Sequence, residues 1–397
     1  PQFRLPDDVV AADVKSITDL GVTIRTNVRI ANDAALERLK NEYDAVILSG
    51  GCMLPQKIDM QGLDAKGIFW GLKFMMAANR EEITTPMEKV LVIGGGFTAV
   101  DCARMSYRLG ARKVALAYRR NKDNMKVGSH ELDDMEEEGI DFIFMASPVD
   151  IKTSNGKVAG LKLVRNYFAK DHSIQPIPGS EFIFEADTVI FAIGQGSEEN
   201  ISTVEREAQV DNFFVAGDFR NGASTVIEAA SDGRKVAREV HKFLSGIKGY
   251  RETIQINKVK ETGRKRDFDF IPAQTMDKTH LRDRWIKNKE VESGFSKERS
   301  LIEARRCYLC HYNFQIDIDR CIYCLACIDV MPVDCIKMAK DVRVSQDGNL
   351  RYVETKKWDE VEAITIDNDK CIRCGNCARV CPVECISISK YKLTIEE

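Results

Sequence analysis

Short runs of β-branched residues alternate with longer amphipathic stretches over most of residues 1–246. The run KVLVIGGG is typical of a buried strand that ends in glycines, and FTAVDCARMSYRLGA follows it with apolar residues at helical spacing. Further strands are predicted in YDAVILSGG, KVALAYRR, EADTVIFAIGQG and VDNFFVAGD. This alternation predicts an α/β fold in which helices cover the faces of a parallel sheet.

The pattern changes at three places along the chain. GKVAGLKLVRNY and SEFIFEA predict antiparallel strands of an inserted hairpin. Residues 247–306 are dense in charge, which predicts a solvated helical linker, with a dedicated binding surface as the alternative. The last part contains a repeat, CIYCLACIDVMPVDCIKM and CIRCGNCARVCPVECISI, and we expect its two short units to pack against each other.

The composition is ordinary for a soluble globular protein apart from its cysteines. The chain has 397 residues, which predicts two or three domains, and its net charge of −3 gives no indication of nucleic-acid or anionic-membrane binding. No apolar run approaches the roughly 20 residues that a membrane span needs. The chain starts PQFRLP, without an initiator Met or a leader, and we expect a fragment or a processed chain.

Eleven of the 13 cysteines lie from Cys307 onward. C-x-x-C spacings in a large chain favour metal binding over disulfides and indicate a reducing cytoplasm. CIRCGNCARVCP has the full spacing of a bacterial ferredoxin run, whereas the earlier CIYCLACIDVMP has Met331 at the fourth position. The pair resembles a ferredoxin with two [4Fe–4S] clusters, in which each run gives three ligands to one cluster and its fourth to the other.

This arrangement predicts a ligand set for each cluster. The first cluster would use Cys321, Cys324, Cys327 and Cys381, and the second would use Cys371, Cys374, Cys377 and a replacement for residue 331.

Cys335 is the favoured replacement ligand. A thioether such as Met331 binds iron far less well than a thiolate. Pro332 suits the first position of a short helix, on which residues 331 and 335 would share a face, although Cys335 would need some rearrangement to reach the cluster. The alternatives are a cluster with three cysteines, or a packing role for Cys335, because Cys385 occupies the equivalent place after Cys381. We expect Cys307 and Cys310 to be an unliganded pair.

A glycine turn after the strand KVLVI predicts a dinucleotide site. Its first glycine allows a tight turn, its second lets a pyrophosphate approach the backbone, and the helix amino end faces the phosphates. The predicted residues are Gly94, Gly95, Gly96, Phe97, Thr98 and Ala99. Arg119 and Arg120 stand where an NAD site would place an acid, which favours NADP(H), with NAD(H) or plain surface arginines as alternatives.

The first 246 residues resemble the flavoprotein family of the glutamate synthase small subunit and of NADPH–ferredoxin transhydrogenases. The motifs that carry the resemblance are PQFRLP, LGVTIRTNVRI, YDAVILSGG, GGGFTAVDCARMSYRLGARKVALAYRRNKDNM, EEEGIDFIF, DTVIFAIGQ and FFVAGDFRNGASTVIEAASDGRKVA. The resemblance implies two nested Rossmann-like domains and a small α+β ferredoxin-like domain. The implied bounds are 1–84 and 195–246 for an FAD domain, 85–194 for an NAD(P)H domain, 247–306 for the charged linker and 307–397 for the ferredoxin-like part.

The resemblance also implies the flavin contacts. Gly217 and Asp218 match the segment that binds the ribityl and pyrophosphate groups of FAD, and free N–H groups at Ser224, Thr225 and Val226 would stabilise charge on the flavin ring. The glycine fingerprint that binds the adenosine diphosphate of FAD would precede PQFRLP and is absent from this sequence. Either the chain is truncated, or another polypeptide supplies this unit, or the flavin has been lost; retention of the Asp218 segment favours the first two.

We therefore expect an NAD(P)H-dependent oxidoreductase subunit that moves electrons through FAD and two clusters to a partner subunit or a soluble ferredoxin. The flavin and nicotinamide carry the chemistry, so no catalytic side chain is expected. No C-x-x-C occurs in the nucleotide-binding part, where Cys52 and Cys102 stand alone, so a thioredoxin-reductase-type dithiol is excluded. An electron-relay subunit with vestigial nucleotide sites is the alternative, and the appended ferredoxin unit weakens a stand-alone glutamate synthase subunit.

Overall fold

The computed structural model describes residues 1–30, 32–84, 87–197, 212–246, 251–344 and 350–396. The chain divides into two units, Pro1–Ile247 with Asp277–Ser293, and Lys248–Met276 with Gly294–Glu397.

The described helices and strands of the first unit follow in chain order. They are α1 (Asp7–Thr18), α2 (Asp33–Glu42), β1 (Val46–Leu48), β2 (Leu54–Pro55), β3 (Ile68–Trp70), α3 (Gly71–Asn79), β4 (Lys89–Ile93), α4 (Phe97–Arg108), β5 (Lys113–Tyr118), α5 (Ser129–Glu137), β6 (Asp141–Phe144), β7 (Ala146–Ser154), β8 (Lys157–Phe168), β9 (Ile174–Pro176), β10 (Phe182–Phe184), β11 (Thr188–Phe191), β12 (Gln195–Gly196), β13 (Phe213–Val215), α6 (Asp218–Asn221) and α7 (Val226–Ser245).

A parallel sheet in the order β3-β11-β4-β5-β6 forms the centre of the first unit. Its middle strand β4 is buried on both faces, as its unbroken apolar run predicts. Val90 and Val92 point into the core that contains α3 and α4, and Leu91 and Ile93 point into a second core on the other face. The parallel α/β fold predicted from the alternating pattern is confirmed.

Antiparallel strands cover the second face of this sheet. β8 pairs with β7 on one side and with β10 on the other, with Leu163 opposite Phe182. Leu161 and Leu163 of β8 are fully buried in the second core. The predicted inserted hairpin is therefore present, and it lies under the parallel sheet.

A second, smaller sheet contains the segment that the resemblance assigns to a flavin domain. β1 and β13 pair in parallel, with Val46 opposite Phe213, and in the described residues this sheet has two strands. α7 packs beside β13, where Val236 is buried against Phe214.

Part of the charge-dense stretch, residues 277–293, belongs to the first unit and packs against the rest of it. The Val291 N–H donates to the carbonyl of Phe3 at 3.0 Å, and the Trp285 ring packs edge-on against Tyr107 with 5.0 Å between centroids. Arg284 is buried and donates to Glu137. The structure differs here from the solvated helical linker that the charge pattern predicts, because the charges of this segment face acids of α5.

Arg284 lies beside a buried cluster of ions around Phe3, because Asp134 is near both Arg284 and Arg104 of that cluster. Glu138 is buried and accepts hydrogen bonds from Arg104 at 2.7 Å and from Arg108 at 3.1 Å. Both guanidinium groups also lie over the Phe3 ring, at 5.1 and 4.2 Å from its centroid. Burial alone would raise the pKa of Glu138, but the hydrogen bonds and charges of the two arginines hold that pKa below its ordinary value.

The described elements of the second unit form two antiparallel sheets, β14-β19-β15 and β17-β16-β18. Its elements are β14 (Arg251–Val259), α8 (Lys297–Arg305), β15 (Tyr312–Ile316), α9 (Ala326–Asp329), β16 (Ile336–Val344), β17 (Leu350–Glu354), β18 (Ala363–Ile366), α10 (Asn376–Val380) and β19 (Ile386–Glu396).

Strands that flank one repeat pair with strands that flank the other, across a shared core. The strand before the first repeat pairs with the strand after the second, with Ile316 opposite Ile386, and the converse pairing sets Ile336 opposite Ile366. Phe314, Ile364 and Ile388 fill the core between them. The repeats therefore pack against each other, as predicted. Within the described ranges every helix is too short or too polar to cross a bilayer.

Glu138→Ala tests the ion cluster. Removing the carboxylate takes from the buried Arg108 guanidinium the acid it pairs with and from Arg104 its shortest ion pair, so the free energy of unfolding should fall by about 3–5 kcal/mol at pH 7. Because the folded-state pKa of Glu138 is lowered, its contribution is present above the ordinary carboxyl pKa and is lost as the pH falls through the folded value. In urea unfolding, the difference in the free energy of unfolding between the variant and the unaltered protein should therefore become smaller in acid.

Glu136→Ala is the matched control, since Glu136 lies in α5, two residues before Glu138, and pairs with Lys122 at the surface. Its effect should stay within about 1 kcal/mol. Equal losses in the two variants would contradict a special role for the buried cluster.

Candidate functional site

The glycine turn follows β4 at the carboxyl edge of the parallel sheet. Gly94 has a φ of +153°, and a Cβ at this position would lie 2.3 Å from the carbonyl oxygen of Ala192. Gly96 caps α4, and a Cβ there would meet open space. Phe97, Thr98 and Ala99 form the first turn of α4. The backbone thus leaves room for a phosphate at a helix amino end, as a dinucleotide site requires.

Tyr118 is a further residue at this turn, and sequence reasoning missed it. A Cβ on Gly95 would lie 2.4 Å from the Tyr118 ring, so the ring covers this glycine. The Tyr118 hydroxyl donates to the carbonyl of Asn124 at 3.0 Å, which holds the ring in place. Its position at the end of β5, facing the glycine turn, is the signal that could have identified it.

Arg119 and Arg120 come directly after β5, at the edge that carries the glycine turn. The Arg119 carbonyl accepts from the Asn166 side chain at 2.9 Å, and the Arg120 carbonyl accepts from the Met145 N–H at 3.0 Å. Their backbone is therefore held, while the Arg119 side chain is exposed and that of Arg120 is half-buried. Two guanidinium groups at this edge suit a phosphate on the ribose of a dinucleotide.

The segment that resembles a flavin site starts at the end of β13. Gly217 has a φ of +68°, and Asp218 begins α6 and accepts from the Ser224 hydroxyl at 2.7 Å. Thr225 caps α7 and Val226 is its first residue, with a side chain 86% exposed. These residues present a carboxylate and a helix start on one surface, so they fit the flavin end of FAD.

The expectation of free N–H groups at this helix start is wrong for Thr225. Its N–H donates to the Glu228 carboxylate at 3.0 Å, and its hydroxyl accepts from the Glu228 N–H. The sequence TVIE forms a capping box, in which the N–H groups of Thr225 and Glu228 find their acceptors at the start of the helix.

Two cavities in the second unit contain the cysteines of the repeats. Their volumes are about 20 and 10 Å³, and both have walls of apolar side chains. The first is lined by Cys321, Cys324, Cys327, Cys381 and Cys385. The second is lined by Cys335, Cys371, Cys374, Cys377 and Met331. The structure thus brings the predicted ligands together in two sets, with the fourth sulfur of each coming from the other repeat.

Backbone hydrogen bonds explain how Cys335 reaches the second cavity. The Asp367 N–H donates to the Cys335 carbonyl at 2.8 Å, and the Cys371 N–H donates to the Asp367 carbonyl at 3.0 Å. The expected helix from Pro332 is wrong, because α9 ends at Asp329 and residues 332–334 form bends. The sulfur reaches the cavity because this irregular turn leads directly into β16, which pairs with the strand before Cys371.

In the second cavity the thiolate form is favoured at Cys371 alone, because the hydrogen bond that lowers its pKa raises the pKa of Cys335. A hydrogen bond from the Cys335 thiol lowers the pKa of Cys371 to about 6, against the effect of burial, with help from the Arg373 N–H. Burial raises the pKa of Cys377 to about 12 and of Cys327, in the first cavity, to about 11. Metal insertion must therefore displace protons from the buried thiols.

Cysteine thiolates are the ligands that four-iron clusters take, and each cavity brings at least four thiols together. Among the described residues no group of three or more His, Cys, Asp or Glu side chains converges closely enough to hold one metal ion. Cys307 and Cys310 line neither cavity and are exposed.

The chain contains a parallel sheet with a glycine turn and a second unit with two thiol-lined cavities. These features define a redox protein that combines dinucleotide and iron–sulfur binding. Residues 10–233 match the family model described as pyridine nucleotide-disulphide oxidoreductase, and the chain belongs to this family. Residues 364–387 match the 4Fe-4S binding domain.

Curated relatives share this combination. The chain is 30% identical over 349 residues to the NADP(+)-dependent formate dehydrogenase subunit beta of Moorella thermoacetica, over 78% of this chain and 48% of that protein. It is 29% identical to the NADPH-Fe(3+) oxidoreductase subunit beta of Geobacter sulfurreducens (strain DL-1 / KN400), over 78% and 55% of the two chains. The Glutamate synthase [NADPH] small chain of Escherichia coli (strain K12) is 30% identical over 62% of this chain and 60% of its own length.

The resemblance to the glutamate synthase small subunit family is thereby confirmed. The chain spans 48% to 60% of the length of these three relatives.

Cys335→Ser tests the assignment of the second cavity. Serine removes the fourth thiolate, so iron and acid-labile sulfide should fall and a three-iron EPR signal should appear in anaerobically purified protein.

Cys307→Ser is the control, since this exposed thiol lies outside both cavities and should leave the iron content unchanged. Unchanged iron in Cys335→Ser would show that Cys335 is a packing residue.

Proposed function

We propose that this chain is a subunit of an NAD(P)H-dependent flavin and iron–sulfur oxidoreductase. It would move electrons between NAD(P)H, FAD and two [4Fe–4S] clusters toward a partner subunit or a soluble ferredoxin. The observation that carries the proposal is the pair of cavities, each lined by at least four thiols, in a chain of the pyridine nucleotide-disulphide oxidoreductase family.

The first cluster would be held by one set of thiols and the second by the other. The proposed ligands are Cys321, Cys324, Cys327 and Cys381 for the first, and Cys335, Cys371, Cys374 and Cys377 for the second. The apolar side chains around both cavities and backbone N–H donors to sulfur would tune the potentials of the bound clusters. One such donor is the Arg373 N–H, 3.4 Å from the Cys371 sulfur.

The nucleotide residues would bind and orient two cofactors. Gly94 and Gly96 let a pyrophosphate reach the amino end of α4, and Arg119 and Arg120 would bind the 2′-phosphate of NADP(H). Asp218 would accept hydrogen bonds from the ribityl hydroxyls of FAD. A bound flavin exchanges a hydride with a nicotinamide and single electrons with iron–sulfur centres.

The described residues offer the flavin end of the proposed FAD site. The sheet beside Asp218 has two strands in the described residues.

An open groove in the second unit is a candidate contact for the electron partner. It is bordered by Cys374, which lines the second cavity, and by Cys381, which lines the first. Lys258 and Lys260 are exposed along its wall. A partner seated there would approach both clusters. Two of the relatives are named as beta subunits, which supports a place in a larger complex, and thiolate ligands favour the cytoplasm.

Anaerobic mixing with NADPH tests the proposed function in the native complex. We expect loss of flavin absorbance followed by EPR signals of reduced clusters. Clusters without a flavin that responds to NADPH would favour the electron-relay subunit instead, and the absence of iron would contradict both functions.

The paired substitution Arg119→Ala and Arg120→Ala tests the nucleotide preference. Loss of charge-assisted bonds to the 2′-phosphate should raise the Kd for NADPH about 10- to 100-fold and leave the Kd for NADH unchanged. Equal weakening of both nucleotides would contradict this role.

Arg112→Ala serves as the control in the same calorimetric titration. Arg112 is exposed beside the amino end of β5, at the opposite edge of the sheet, and its loss should change neither affinity.

A further inference from the structure

We infer that Cys385 is a reserve ligand of the first cavity, able to hold the cluster in place of Cys381. The inference rests on the proposed clusters and concerns a residue to which no role has been given so far. It starts from an excess of sulfur, because five thiols line the first cavity while four thiols and a thioether line the second. A four-iron cluster takes four cysteine ligands, so the first cavity has one thiol more than it needs.

The extra thiol lies close to a predicted ligand. The Cys385 sulfur is 3.4 Å from the Cys381 sulfur, and the Cys385 N–H donates to the Cys381 sulfur at 3.3 Å. Cys385 is buried, with 4% of its surface exposed. An iron ion bound by one of these sulfurs therefore lies within a short displacement of the other.

The first repeat offers an internal comparison for this position. Cys385 and Cys335 occupy the same place in the two repeats, four residues after Cys381 and Met331 respectively. Their carbonyls are held alike, since the Asp317 N–H donates to Cys385 at 2.9 Å and the Asp367 N–H donates to Cys335 at 2.8 Å. The fold thus delivers a sulfur from this position into the cavity even where the earlier position has no thiol.

The backbone that follows is also equivalent. Ile386 begins β19 opposite Ile316, and Ile336 begins β16 opposite Ile366. The two positions in each repeat are therefore alternative ligand positions on one turn. The second cavity can use only the later one, and the first cavity can use either.

The exchange needs no redox partner. The bond between iron and the Cys381 sulfur breaks, the Cys385 thiol releases its proton to the Cys381 thiolate, and a bond forms between iron and the Cys385 sulfur. One thiolate replaces another, so the oxidation state of the cluster does not change.

Three variants of the native complex test this inference: Cys381→Ser, Cys385→Ser and the double variant. Iron, acid-labile sulfide and the EPR spectrum of dithionite-reduced protein are measured, independently of activity. We expect each single variant to keep the iron content of the unaltered protein, and the double variant to lose a four-iron cluster. A Cys381→Ser protein with the same iron loss as the double variant would overturn the inference.

The other cavity provides a second test that does not depend on how Cys381→Ser folds. The paired substitution Met331→Cys and Cys335→Ser moves the thiol from the later position to the earlier one. Iron equal to that of the unaltered protein supports interchangeable positions, and iron equal to that of Cys335→Ser alone contradicts them. Absence of iron from the unaltered protein would instead overturn the proposed function.

Discussion

Two backbone hydrogen bonds, from Asp317 to the carbonyl of Cys385 and from Asp367 to the carbonyl of Cys335, tie each repeat to the turn of the other. Because each turn carries a sulfur, the bonds place a cysteine of one repeat beside three cysteines of its neighbour. Neither repeat can complete a cluster site alone. Folding of the second unit and assembly of the proposed cluster sites would therefore be the same event, as in other small metal-binding domains.

In the first unit, the packing of the sheet holds the glycine turn at the sheet edge. β4 is buried on both faces, so the turn that follows it cannot move without opening two cores. The ions around Phe3 hold α4 from its other end, since Arg104 and Arg108 of that helix bind Glu138. The charged segment that reaches Val291 closes over this cluster. Positioning of a nucleotide thus depends on residues far from it in sequence.

The features that depend on local pattern could be predicted from the sequence. The strand KVLVI, its glycine turn and the cysteine spacing are local, and the structure contains them. The path of residues 277–293 could not be predicted, because it depends on acids of α5 that lie some 140 residues earlier. The sequence predicts Cys335 as a ligand on the basis of a helix that the structure does not contain. Hydrogen bonds between the repeats, and not helical periodicity, place its sulfur. Cys385 had a visible signal in the repeat, but only the cavity relates it to a ligand.

Mössbauer spectroscopy of ⁵⁷Fe-labelled, anaerobically isolated protein, together with quantitative sulfide analysis, would count the clusters and identify their type. We expect two four-iron clusters in each chain, both with cysteine thiolate at every iron. One four-iron cluster with an empty or three-iron second cavity would contradict two complete thiol sites, and so would zinc in place of iron.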